Sequence, residues 1–313
     1  MAGIKELRQL KEIHGSRRPD VLFVGNGINR SFHGESWEEL IRDAMEKAAV
    51  PYDFSEIQDM PAPMQIVLAT GDHVEQELTD ISLRLRKRQI SPAQRAFLEE
   101  LLDLPISTIL TTNYTYELEQ ATGIVPSAYN YQRCRSATRV LTEREKKLSL
   151  FHFSDLTFRD CEKQVWHIHG SVCAPRSVVM GHYYYGKLLR EIQEHIPHFL
   201  RRYKGTLARG RSFVPASWVD YFMMGDLYVL GFSMDLSEMD LWWLACCKKR
   251  HFPDSRIYFY RPAPEIDPHT EKMMTAYGIR VCGGIPFDGD YVAYYRRVME
   301  DIRRRCEVGK TLA

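Results

Sequence analysis

Short runs of β-branched and aromatic residues recur along the chain, and most of them end in glycine or a polar residue. The six runs cover residues 20–25, 106–112, 164–169, 227–231, 256–260 and 278–282. Continuous apolar runs of this length are typical of parallel strands that are buried on both faces. The pattern therefore predicts a sheet of about six strands.

Helical segments fill the intervals between these runs. Residues 36–49 begin with Ser36 as a cap, and residues 91–102 begin with a Ser91-Pro92 pair, which suits the start of a helix. Alternation of strands and helices predicts an α/β fold with a Rossmann-like, doubly wound parallel sheet. In such sheets ligands bind beyond the carboxyl ends of the strands.

Some intervals are longer than a crossover between parallel strands requires. We expect a single domain over residues 1–313, in which residues 50–105, 123–160 and 182–215 are helical insertions that form a second layer. Basic clusters at 84–88 and 201–204 are interleaved with apolar residues, and we interpret them as solvated helix faces.

The composition is that of an ordinary globular protein, with 44% hydrophobic and 27% charged residues. Because 42 basic residues nearly balance 41 acidic ones, nucleic acid is not an expected partner. The most apolar stretch, residues 218–232, contains Asp220 and Asp226 and is shorter than the roughly 20 apolar residues that span a bilayer. We expect a cytoplasmic protein with no membrane contact, and a buried helix end and strand in this stretch.

Seven cysteines are scattered along the chain without a Cys-x-x-Cys pair. This spacing does not suit a zinc site and is typical of reduced thiols in a cytosolic protein. We therefore predict no bound metal.

Glycines follow the first predicted strand as Gly25-Asn26-Gly27. Missing side chains would let backbone N–H groups approach a pyrophosphate, although a plain tight turn explains two glycines equally well. Arg30 occupies the place of the third glycine of a full dinucleotide motif.

Polar residues also end the next predicted strands. Thr112-Asn113 ends the second, and the amide can bind a ribose hydroxyl or a water, form an Asx turn or cap a helix. His169 ends the third predicted strand, and the alternation of strand side chains puts it on one face with His167. Its imidazole can accept a proton, although a core histidine is the alternative interpretation. Gly170, which follows it, leaves room for substrate. For Asp235 and Asp240, which follow the fourth strand, helix capping is the preferred interpretation.

The order of these motifs, ending with Gly231-Phe-Ser233, resembles the sirtuin family, and especially the sirtuin-like domains of bacterial antiphage defence proteins. The resemblance implies that Asn113 and His169 act on the nicotinamide ribose of NAD. It also implies cofactor contacts at Gly25, Asn26, Gly27, Asn29, Thr112, Gly231 and Ser233.

Two features of protein-deacylating sirtuins are missing from the sequence. The four-cysteine zinc module is absent, and residues 29–37 replace the Asp-Phe-Arg segment of that family. Both departures favour water over a peptide acyl group as the acceptor of the ADP-ribose unit. The resemblance therefore implies an NAD hydrolase that forms ADP-ribose and nicotinamide.

Two other functions remain open: an NAD-dependent protein deacylase, and a module that binds NAD or ADP-ribose without turnover. The resemblance also implies a homo-oligomer that a phage-derived trigger or a partner protein activates. The aromatic stretches 182–185 and 242–243 are candidates for interfaces, although core packing is the preferred interpretation.

Overall fold

A seven-stranded sheet organises the computed structural model, which describes residues 18–71, 74–124 and 149–311. The strands are β1 (Asp20–Val24), β2 (Thr108–Thr111), β3 (Ser154–Phe158), β4 (Cys161–His167), β5 (Asp226–Leu230), β6 (Ile257–Tyr260) and β7 (Ile279–Cys282). Their spatial order is β3-β4-β2-β1-β5-β6-β7, and every neighbouring pair is parallel except β3 with β4. The six parallel strands therefore have the Rossmann order, which reverses between β1 and β5.

All six strands predicted from the apolar runs are confirmed, and the seventh, β3, was missed. β3 alternates buried and exposed residues at the sheet edge and pairs antiparallel with β4 through a turn at Arg159 and Asp160, which both have positive φ. Such a half-exposed edge strand gives a weaker apolar signal than a buried parallel strand. The expectation of a helical stretch over 123–160 is wrong at β3, and residues 125–148 of that stretch lie outside the described residues.

Twelve α-helices lie within the described ranges. They are α1 (Gly27–Arg30), α2 (Trp37–Ala48), α3 (Phe54–Ile57), α4 (Ala62–Thr70), α5 (Val74–Leu85), α6 (Pro92–Leu102), α7 (Glu117–Ala121), α8 (His182–Leu207), α9 (Trp218–Met224), α10 (Met239–His251), α11 (Pro268–Ala276) and α12 (Tyr291–Thr311). Ser36 caps α2 and Ser91 caps α6 through their side chains, as predicted. No helix within these ranges is both long and apolar enough to cross a bilayer.

Three apolar clusters divide the helices into layers. Helices α8, α9 and α10 cover one face of the sheet, and α6, α7 and α12 cover the other. Helices α2 to α5 form a cluster of their own, together with residues that follow β4. Two of the intervals expected to form a second layer therefore each supply a helix that packs on a face of the sheet. These helices are α6 from residues 50–105 and α8 from residues 182–215.

The loops after β1 and β5 lie in direct contact where the strand order reverses. The Gly25 N–H donates to the Leu230 carbonyl at 3.0 Å, and the Gly27 N–H donates to the Gly231 carbonyl at 2.7 Å. A Cβ on Gly25 would lie 2.4 Å from the Gly231 oxygen, and a Cβ on Gly27 would lie 2.8 Å from it. The glycines are therefore required because two backbones meet here.

We expect Gly25→Ala to lower the free energy of unfolding by at least about 2 kcal/mol, because a side chain would force the two loops apart. Gly205→Ala in α8 is the control, since its Cβ would enter open space and alanine favours the helix by about 0.5–1 kcal/mol. Urea unfolding followed by circular dichroism measures both. Equal stability of the two variants would contradict this account of the loop contact.

Candidate active site

A cavity of about 660 Å³ opens at the carboxyl ends of the strands, beside the contact between the β1 and β5 loops. Seven of the nine predicted site residues line it, namely Asn26, Gly27, Thr112, Asn113, His169, Gly231 and Ser233. They come from the segments that follow four different strands, as Rossmann-like topology requires. The structure thus brings most of the predicted residues together.

Gly25 and Asn29 do not line this cavity. Asn29 is buried, where it donates to the Asn26 side chain and accepts from Gln94, both at 3.2 Å. Because the N–H groups of Gly25 and Gly27 bind backbone carbonyls, they are not the pyrophosphate donors that the glycine motif suggested. Gly25 and Asn29 instead hold the shape of the loop behind the cavity.

Asn113 lines the cavity, and its side chain has an acceptor without a partner. Its amide oxygen is buried and has no hydrogen-bond partner. The residue therefore closes no Asx turn through that oxygen, and α7 begins after Tyr116 without a side-chain cap. A buried acceptor without a partner is costly unless a ligand supplies the donor.

His169 lies between two carboxylates. Its Nε2 is 3.0 Å from Oδ2 of Asp240, which is fully buried, and its Nδ1 is 3.9 Å from Oε2 of Glu238. Asp240 therefore holds the proton on Nε2 and leaves Nδ1 as the nitrogen that can accept a proton. Glu238 lines the cavity and accepts a hydrogen bond from the Tyr185 hydroxyl at 3.0 Å.

These carboxylates control the ionisation of the histidine. Burial disfavours the imidazolium, but the charge and hydrogen bond of Asp240, with the charge of Glu238, outweigh it, so the pKa of His169 is raised. Burial also raises the pKa of the Glu238 carboxyl, against the lowering effect of His169. The resulting base has more affinity for a proton than an exposed histidine.

Gly170 has a different role from the one predicted for it. Its φ is +83°, and an added Cβ would lie 2.0 Å from the Ser177 carbonyl oxygen. The glycine therefore lets the chain turn sharply after His169 and pass close to residues 175–178, and its role is not to make room for substrate.

The two histidines do not share one face as strand alternation predicted. β4 ends at His167, so the alternation does not extend to His169. His167 contacts Glu119 of α7 on one side of the sheet, whereas His169 contacts Asp240 of α10 on the other. The chain leaves the strand after His167 and turns at residues 168 and 169, so the two side chains enter different environments.

The family model for the SIR2-like domain matches residues 107–282, which is more than half of the 313-residue chain. The match includes Asn113, both histidines and the segment after β5, and it begins after the Gly25-Asn26-Gly27 loop. The chain belongs to the SIR2-like domain family. No curated protein matches the chain.

SIR2-like domains are usually NAD-dependent enzymes, and the sheet of this chain is the Rossmann-like sheet of that family. The sirtuin resemblance read from the short motifs is thereby confirmed at the level of the family. Its finer parts, the antiphage subtype and the reaction, stay predictions.

Sequence reasoning missed the carboxylates of this SIR2-like domain. Asp240 was interpreted as a helix cap, but its side chain contacts His169, and the side chain of Asp235 bonds Ser237 instead of capping α10. The close spacing of Glu238 and Asp240 was the available signal. Within the described ranges, His169, Glu238 and Asp240 place their ligand atoms within 4.8 Å of one another, an arrangement that could hold a cation, so the expected lack of a metal stays a prediction.

We expect Asp240→Asn to lower the pKa of His169, because the substitution removes the nearest negative charge that stabilises the imidazolium. Titration of the histidine ring protons by NMR measures the shift. Asp235→Asn serves as the control, since that side chain bonds Ser237. An unchanged His169 titration in Asp240→Asn would show that the ion pair between His169 and Asp240 does not form in solution.

Proposed function

We propose that this SIR2-like domain is an NAD hydrolase, an NAD glycohydrolase that cleaves the bond between nicotinamide and ribose. The observation that carries the proposal is the buried, unpartnered amide oxygen of Asn113, a residue that lines the same cavity as the carboxylate-supported base His169. An acceptor and a base beside each other suit a substrate that presents hydroxyl groups and a water.

The chemistry of the cavity walls fits NAD as the substrate. Hydroxyls of the nicotinamide ribose can donate to the amide oxygen of Asn113, and the volume lies in the usual range for cofactor sites. Arg30, Arg88 and Arg261 also line the cavity and can attract a pyrophosphate. They take the role that the glycine N–H groups were expected to have.

In the proposed reaction Asn113 fixes the ribose, and His169 accepts a proton from water at Nδ1. The bond from the ribose carbon to the nicotinamide nitrogen breaks, and its electron pair neutralises the pyridinium charge. The water oxygen bonds the same carbon, giving ADP-ribose, neutral nicotinamide and a protonated His169. Positioning and charge stabilisation are the main contributions that such a reaction needs from a protein.

Glu238 adds an electrostatic contribution to this scheme. Positive charge develops on the ribose as the nicotinamide leaves, and the Glu238 carboxylate lines the cavity close to His169. A carboxylate in a partly dehydrated site stabilises such a cation more strongly than it would in water. Tyr185 keeps this carboxylate in place through its hydroxyl.

We expect His169→Ala and Asn113→Ala each to lower NAD cleavage by at least about a hundred-fold, because the base or the ribose contact is lost. Chromatographic measurement of nicotinamide release tests this, and circular dichroism verifies the fold. His198→Ala on the exposed face of α8 is the matched control and should keep full activity. Turnover in either site variant equal to that of the wild type would exclude this assignment.

The same incubation separates the rival functions. A hydrolase releases free ADP-ribose from NAD alone, whereas a protein deacylase needs an acyl-lysine peptide and forms an acylated ADP-ribose. A binding module would show stoichiometric nucleotide binding by calorimetry and no nicotinamide after long incubation.

We further propose a cytoplasmic, homo-oligomeric effector of antiphage defence, controlled by a phage-derived trigger or a partner protein. An uncontrolled NAD hydrolase would deplete its own cell, so access to the site needs control. Leu236 and Met239, which flank Glu238, are 70% and 55% exposed, and Tyr183 near Tyr185 is 78% exposed. Exposed apolar side chains beside the site support an assembly contact there.

We expect the specific activity to rise with protein concentration, in step with the mass measured by light scattering. Leu236→Glu should keep the protein monomeric and prevent that rise, because it places a charge in the apolar surface. Full activity of a dilute monomer would exclude control by assembly.

A further inference from the structure

Both backbone polar groups of Asn113 are hydrogen-bonded to side chains at the ends of strands. Its N–H donates to Oγ1 of Thr111 at 3.0 Å, and that hydroxyl donates to the Val24 carbonyl at 2.8 Å. Its carbonyl accepts a hydrogen bond from Nδ1 of His167 at 2.8 Å. The Asn113 backbone is thus fixed by Thr111, which is itself bonded to β1, and by His167 of β4, while its side-chain amide oxygen stays unpartnered.

The Asn113 carbonyl determines where His167 carries a proton. A carbonyl can only accept, so Nδ1 must carry a proton. The other nitrogen, Nε2, lies 2.9 Å from Oε1 of Glu119, and both side chains are buried. Burial opposes the imidazolium, but the charge and hydrogen bond of Glu119 outweigh it and raise the pKa of His167.

His167 and Glu119 are enclosed by neighbouring side chains. The Tyr116 ring packs on the His167 ring with centroids 4.7 Å apart, and the Tyr116 hydroxyl donates to Ser171 at 2.8 Å. Glu117 also faces the pair, and burial raises the pKa of its carboxyl. Neither His167 nor Glu119 lines the cavity, so they can affect a ligand only through another residue.

We propose that His167 and Glu119 are positioning residues that aim the Asn113 side chain at the nicotinamide ribose. This inference rests on the proposed function of Asn113. The hydrogen bond from Nδ1 sets the direction of the Asn113 peptide, and Glu119 keeps the ring oriented so that Nδ1 faces it. A displacement of about 1 Å at a reacting group can lower a rate about a hundred-fold.

The first test compares two substitutions of His167 that both leave Glu119 without its partner. His167→Asn keeps an N–H donor close to the position of Nδ1, whereas His167→Leu removes every donor. We expect kcat for NAD cleavage to fall about a hundred-fold in His167→Leu, with a smaller rise in KM. We expect His167→Asn to recover at least about ten-fold of that loss, because a charge-free donor still binds the Asn113 carbonyl.

A matched control separates positioning from general destabilisation. Lys163 lies in the same strand, is buried, and donates through Nζ to the carbonyls of Leu104 and Ile106 at 2.7 and 2.8 Å, at the opposite end of β2. Lys163→Met should lower the melting temperature without lowering kcat. All assays are run below the melting temperatures of the variants.

Substitutions of Glu119 test whether this residue orients the His167 ring. In Glu119→Gln the amide can donate to Nε2 of a neutral His167, so Nδ1 still donates to Asn113 and kcat should stay within a few-fold of the wild type. In Glu119→Leu no group orients the ring, and kcat should fall as in His167→Leu.

Equal loss of kcat in His167→Leu and His167→Asn, or wild-type kcat in His167→Leu, would overturn the positioning role. A wild-type protein that cleaves no NAD would instead overturn the proposed function. The positioning role is then tested by calorimetry with ADP-ribose, for which His167→Leu should weaken binding and His167→Asn should restore it. If the wild-type protein cleaves no NAD, unchanged ADP-ribose affinity in His167→Leu would overturn the positioning role.

Discussion

Buried polar groups at the ends of parallel strands must find partners, and this constraint determines the architecture of the site. Inside the sheet the backbone groups pair with one another, but beyond β2 and β4 that pairing stops. The polar groups that follow are satisfied from opposite sides, His167 by Glu119 of α7 and His169 by Asp240 of α10. Among the described residues that line the cavity, Asn113 has a buried amide oxygen without a hydrogen-bond partner, so the pairing of its neighbours leaves this group for a ligand.

The cavity has two halves with different physical requirements. The β1 and β5 loops meet through glycines, because a side chain at Gly25 or Gly27 would collide with the Gly231 carbonyl. The β2 and β4 ends carry the groups that we assign to chemistry. Glu238 lies beside the base, and the cavity is also lined by Arg30 and by Arg88, which pairs with Glu35 at 3.1 Å. A substrate with a cationic leaving group and an anionic pyrophosphate therefore meets groups of both signs in this cavity.

Much of the fold was accessible from local pattern. Buried parallel strands need long apolar runs, so the six parallel strands were predictable, whereas β3 is half exposed and carries no such run. Serine caps at Ser36 and Ser91 act within one turn of a helix and were likewise predictable. The packing of α6 and α8 on the sheet, where a separate layer was expected, depends on contacts that sequence spacing does not show.

The sequence by itself determined which polar residues follow each strand, and hence that Asn113 and His169 lie at one edge of the sheet. This follows because chain order fixes the strand ends, and parallel strands end on the same side. Only the tertiary structure decided the partners: Asp240 lies 71 residues from His169, and Glu119 lies 48 residues from His167. The packing of α7 and α10 on opposite faces of the sheet brings these residues into contact. The hydrogen bonds of such a side chain depend on that packing and not on its neighbours in sequence.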